Sequence, residues 1–194
     1  MLMPKRLRNI LLVPVVDMLY FWIRTKALNN PYRFYKLKYL LQMLILLFYA
    51  GKDLFAISSS YIVEVIPRVS FRKVHHVPEY VAGLFNYRGV ILPVIDLCQL
   101  IQGTPGRSHL STRIIIVKYP NQKGDPQYLG LMAERVTETL NISSTDIKDS
   151  SIRVDEAPYL SGTIIDEKRI IQCLQLEKLF SDEQHAYLLM GENT

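Results

Sequence analysis

The stretch Gly83-Leu84-Phe85-Asn86-Tyr87-Arg88-Gly89-Val90-Ile91-Leu92-Pro93-Val94-Ile95-Asp96-Leu97 decides the reading of this chain. Two runs of branched and aromatic residues flank Asn86-Tyr87-Arg88-Gly89, the composition of a hairpin. Asn86 and Gly89 are the residue types expected at the left-handed dihedrals of a tight turn. Gly83 predicts a close backbone approach or an unusual dihedral. Pro93 has no N–H to give a ladder, which predicts an edge strand or a bulge there. Asp96 is placed to cap a short helix that Gly103 would end. Arg88, at the tip, is the only charge between Glu79 and Asp96. A solvated turn residue and a fixed charged donor on a recognition surface fit it equally on these grounds.

Outward from this hairpin the chain reads as short strands separated by turns. Strands are expected at 44–50, 54–57, 61–67, 84–86, 90–95, 113–118, 128–133, 135–140, 161–165 and 169–174. Gly51-Lys52-Asp53 and Asp166-Glu167-Lys168-Arg169 are turns between apolar runs. Gly103 to Gly106 and Pro120 to Pro126 are loops. Helices are expected only at Asp96 to Gln102 and Gln175 to Gln184. Many short strands at regular spacing indicate barrels or a sandwich.

The chain also repeats itself. Tyr80, Gly83, Leu97 and Leu100 recur as Tyr159, Gly162, Leu176 and Leu179, at an offset of 79. Phe55, Ile62, Glu64 and Ile66 recur as Leu129, Val136, Glu138 and Leu140, at an offset of 74. The order is the same in both halves, as two related β subdomains would require.

Charge narrows the function. The net charge is +5. Of 23 Lys/Arg and 18 Asp/Glu, residues 1–42 hold eight and one, which leaves 15 and 17 for the rest. The basicity therefore lies in the first fifth of the chain, and the remainder has no footprint for a polyanion. Residues 10–23 are apolar, but Pro14 and Asp17 interrupt them, and they fall short of the ~20 residues of a spanning helix. Composition changes at Met43, so residues 1–42 are expected to be an extension outside the domain, read through from an early start. An interfacial helix flanked by Arg24 and Lys26, tethering a membrane-associated module, is the alternative.

Enzymatic signals are thin. The chain has no phosphate-binding Gly-rich loop, His-Glu-x-x-His, Cys-x-x-Cys or Gly-x-Ser-x-Gly. The adjacent His75 and His76 would face opposite ways in a strand, which argues against a shared metal. Cys98 and Cys173 are expected as small buried apolar residues.

The segment 83–97 resembles the signature of the CheW-like domain, the adaptor of bacterial chemosensory arrays. Leu46 to Ile57 and Ile62 to Pro67 resemble the family's opening strands, and Tyr128 to Val136 a second-half strand pair. Tyr159 to Gly162 and Leu176 to Phe180 are similar as well. The resemblance places a CheW-like domain at 43–182, between the extension at 1–42 and a tail at 183–194. It implies two SH3-like five-stranded barrels around a shared core, with short helices. It implies a non-catalytic adaptor, with no cofactor, metal, nucleic acid or small-molecule substrate, in a chemotaxis or pilus-motility array. The implied partners are the cytoplasmic tip of chemoreceptors and a CheA-type histidine kinase. The protein would be cytoplasmic, held at membrane-bound arrays through those partners rather than by direct membrane contact. The receptor helix would lie in the groove between the barrels, at Ile62, Gly83 and Arg88. The kinase would meet one barrel's end at Ser59, Glu64 and Val65; Ser59 stands where some members have an apolar residue.

Overall fold

The computed structural model describes residues 42–119, 127–148 and 157–180, all within the second of two units into which the chain divides, Gln42–Thr194. The expected extension at 1–42, apart from Gln42, the loop at Pro120 to Pro126 and the tail at 183–194 lie outside the described residues.

The described residues form ten strands: β1 (Gln42–Ala50), β2 (Asp53–Ser58), β3 (Ile62–Pro67), β4 (Val81–Tyr87), β5 (Val90–Asp96), β6 (Arg113–Tyr119), β7 (Gln127–Ala133), β8 (Arg135–Ser143), β9 (Leu160–Asp166) and β10 (Arg169–Leu174). Among the described residues one α-helix, α1 (Leu97–Gln102), follows β5. Its cap is the expected one. The Asp96 side chain accepts from the Cys98 and Gln99 N–H groups, and Gly103 ends the helix at φ 68°. Asp96 also accepts from the Gly106 N–H, so one buried carboxylate holds the helix start and the loop after it. The expected C-terminal helix does not form at its start. Gln175 offers no side-chain cap, and only a 3-10 turn, Leu176–Lys178, follows. Leu176, Leu179 and Phe180 turn into the core there.

The strands make two five-stranded sheets, ordered β8-β1-β2-β10-β9 and β3-β6-β7-β5-β4. Each is an SH3-like barrel, and the repeat maps one order onto the other. The sequence halves are not the barrels, however. The first barrel takes β1 and β2 from the first half and β8, β9 and β10 from the second. The second barrel takes β3, β4 and β5 from the first and β6 and β7 from the second. Each exchange is stitched by one parallel pairing, β2 with β10 and β5 with β7.

This exchange explains the unbroken apolar runs. On β1, Leu46 and Phe48 enter a core shared by both barrels, while Ile45 and Leu47 enter the first barrel's own core. On β6, Ile115 and Val117 face the shared core, and Ile114 and Ile116 the second barrel's own. A strand buried on both faces has no polar side to show, so alternation disappears. Each fully buried Leu, Ile or Phe contributes about 1.5–3 kcal/mol relative to exposure.

Pro93 corrects the expectation of an edge or a bulge in its own strand. β5 has a neighbour on each side, and β4 is the edge. Pairing of β5 with β7 begins at Val94, one residue past the missing donor. The bulge falls in β4, between Val81 and Gly83.

Candidate functional site

The β4–β5 hairpin pairs Tyr87 with Val90, which leaves Arg88 and Gly89 as a two-residue turn. Both have positive φ, 54° and 91°, the pattern of a turn whose twist matches the strands. The left-handed positions therefore belong to Arg88 and Gly89, not to Asn86 and Gly89 as expected. Asn86 instead braces the turn from outside, its Oδ1 accepting the Gly89 N–H at 2.7 Å. A non-glycine residue at φ 54° carries strain of about 1 kcal/mol, and here that residue is an arginine.

Arg88 is not a lone charge. Its Nη2 lies 2.7 Å from Oε2 of Glu64 on β3. The Tyr87 hydroxyl donates to the same oxygen at 2.6 Å. The Arg88 guanidinium sits over the Tyr87 ring, 5.1 Å from its centroid. The bond to Glu64, and then burial, hold the Tyr87 phenol above its ordinary range. β3 and β4 are the two outer strands of their sheet, so this triad spans the seam that backbone pairing leaves open. The other barrel has a counterpart. Glu138, the repeat partner of Glu64, accepts from Arg169 at 2.5 Å, and Arg169 also bonds Asp166.

Gly83 meets both expectations made of it. Its φ is 145°, and a Cβ would stand 2.6 Å from the Arg72 carbonyl oxygen. That closeness belongs to an isolated bridge in which Arg72 and Leu84 exchange N–H···O bonds. Gly162 repeats it against Lys148, 2.9 Å from that carbonyl.

The remaining site positions lie on β3 and in the turn that leads into it. Burial alternates along β3: Ile62, Glu64 and Ile66 are half-buried, while Val63 and Val65 are exposed. Ile62 packs on the shared core. Glu64 and Val65 thus point to opposite faces, and Glu64 is bonded to Arg88. Ser59 lies in the 3-10 turn Ser59–Tyr61 that leads into β3. In that turn Tyr61 donates to Glu177.

Beside Arg88 an open depression of about 440 Å³ runs over the seam, with Ile66, Val69, Leu84 and Phe85 in its floor and Arg72 and Arg88 at its rim. Tyr87 and Arg72 were not among the site residues expected from sequence. Tyr87 was legible in part, as the aromatic beside the turn charge. Arg72 was not, because nothing local to 67–78 announces a bridge to β4. Cys98 and Cys173 are buried, as expected, and burial pushes both thiols up to about 11. His75 and His76 are exposed in the β3–β4 connection. Among the described residues no group of His, Cys, Asp and Glu is arranged to hold a metal, and no helix is long and apolar enough to cross a membrane.

A family model described as the CheW-like domain matches residues 44–184. The chain is 26% identical over 137 residues to the chemotaxis protein CheW of Helicobacter pylori, which covers 70% of this chain and 80% of that one. It is 31% identical over 111 residues to a probable chemotaxis protein CheW of Rhizobium etli, covering 56% and 68%. The scaffolding protein TtCheW from Thermoanaerobacter tengcongensis has a similar structure, with a TM-score of 0.64 and 27% identity over 73% of this chain and 90% of that one. With the family match spanning most of its length, and with two barrels built in the same way as a CheW structure, the chain belongs to the CheW-like domain family.

Proposed function

We propose that this chain is a non-catalytic adaptor that couples the cytoplasmic tips of chemoreceptors to a CheA-type histidine kinase, in an array that drives chemotaxis or pilus-based motility. The observation that carries the reading is the Glu64–Arg88–Tyr87 triad. It fixes a strained, charged hairpin tip on a barrel that shares its core with a second barrel. A coupler needs two binding surfaces on one stiff body, and a shared core supplies the stiffness. Ile62, Gly83 and Arg88 serve the receptor; Ser59, Glu64 and Val65 serve the kinase. Val63 and Val65 give β3 an exposed apolar face turned away from Arg88. The Glu64–Arg88 contact makes the two sets neighbours, so they communicate through one ion pair. No cofactor takes part. The protein acts in the cytoplasm, at the array, through its partners.

The test is assembly of a ternary complex. A receptor cytoplasmic fragment and the kinase regulatory domain, both from the same genome, are mixed with the protein and separated by size. Co-elution of all three, with no co-elution of the first two alone, supports the adaptor. Independent elution of all three contradicts it.

A further inference from the structure

The depression beside Arg88 has a charge pattern that the hairpin alone does not explain. The first ten residues of the β3–β4 connection, Arg68-Val69-Ser70-Phe71-Arg72-Lys73-Val74-His75-His76-Val77, carry three formal cations and no acid; the connection's one acid, Glu79, accepts from the Gln99 side chain. Arg68 lies over the Phe71 ring, 5.3 Å from its centroid. Arg68, Arg72 and Lys73 are exposed, and among the described residues none is in an ion pair. The Glu64 carboxylate, on β3 two residues before Ile66, is already engaged by Arg88 and Tyr87. Arg72 and Arg88 line the depression together with the apolar Ile66, Val69, Leu84 and Phe85, and Arg68 and Lys73 lie next to its lining residues along the same connection. The depression's volume, about 440 Å³, is in the range that takes one or two side chains of a partner.

We propose that this depression takes an acidic segment of the receptor tip. The segment inserts an apolar side chain over Phe85 and Leu84 and sets carboxylates against Arg72, Lys73 and Arg68. This rests on the receptor reading above and adds the chemistry of the partner. Rim charges act on encounter rate and salt dependence more than on the buried contact. The apolar floor therefore holds the segment, and the cations select an acidic one.

The experiment measures binding of the receptor cytoplasmic fragment and of the kinase regulatory domain to the full chain at low and high salt. The chains compared are wild type, the double variant Arg72→Glu/Lys73→Glu and the variant Val69→Asp. Arg72 contacts β4 through its backbone, so the charge reversal leaves the bridge in place, and thermal melting verifies the fold. The expected result is a loss of receptor affinity of about tenfold or more for each variant. The salt dependence flattens in the double variant, and kinase binding is unchanged. Wild-type receptor binding that survives both variants overturns this inference and leaves the adaptor reading standing. Loss of kinase binding in place of receptor binding also overturns it. A wild-type chain that binds no receptor fragment overturns both readings.

Discussion

Arg88 at the β4–β5 tip and Glu64 on β3 stand 2.7 Å apart, and their contact joins the two outer strands of one barrel. The Arg88 side chain is 71% exposed and that of Glu64 37%. An exposed pair of this kind contributes at most about 1 kcal/mol to stability. The role proposed for it, on a strained turn and against Tyr87, is recognition instead. Substitutions at either end should therefore affect binding far more than folding.

Arg88→Glu and Glu64→Arg each break the pair. Each is expected to weaken receptor binding with little change in melting temperature. Because Glu64→Arg also frees Arg88, its effect extends to both partners. The exchanged double variant restores part of the loss. Receptor and kinase affinities across the four chains of this double-mutant cycle are the measurement, and a coupling energy near zero would refute the account of the pair.

Arg88→Gly separates strain from recognition. Glycine removes the cost of about 1 kcal/mol at φ 54°, which offsets the lost ion pair. Urea unfolding is expected to give a midpoint near that of the wild type, while receptor binding falls.

Gly83→Ala meets the opposite condition. The new methyl would lie 2.6 Å from a backbone oxygen at φ 145°, and neither can relax without opening the Arg72–Leu84 bridge. A loss of about 2 kcal/mol or more is expected. Gly89→Ala, also at positive φ but with open space around it, should cost about 1 kcal/mol. The difference between the two in urea unfolding isolates the clash from the dihedral.

Alkaline pH should unfold the domain from within its core. The bond to Glu177, followed by burial, pushes the Tyr61 phenol up to about 12. Burial raises Tyr80 and Tyr159, and it raises Cys98 and Cys173 to about 11. Unfolded, the thiols ionise near 9 and the phenols near 10, below their folded values. The folded chain thus holds protons that the unfolded chain has released, and stability falls as pH rises. Stability from these groups is complete below about pH 9 and is lost towards pH 12. Urea midpoints taken from neutral to strongly alkaline pH are expected to be flat first and then to decline. Tyr61→Phe should reduce the decline above pH 10.

Local chemistry made much of this fold legible. The hairpin turn, the Asp96 cap and the Gly103 stop are set by residues within a few positions, and they stand where those residues lead one to expect them. The strands were legible because branched and aromatic runs alternate with turn residues. What escaped was set at long range. The repeat indicated two similar subdomains, but a repeat is equally compatible with barrels that keep to their own halves and with barrels that exchange strands. The Glu64–Arg88 bond links positions 24 apart, and Tyr61–Glu177 links positions 116 apart. No local pattern encodes either. The Asn86 misassignment has a simple cause: the dihedrals depend on the turn being two residues long, and composition alone does not fix that length.

Receptor control of the kinase tests the central claim most directly. Receptor-containing vesicles, the kinase and this protein are combined, and kinase autophosphorylation is followed with each component left out in turn. Receptor-dependent activation is expected to require this protein and to be reduced by Arg88→Glu. Full receptor control without the protein, or no change on its addition, would contradict the adaptor role.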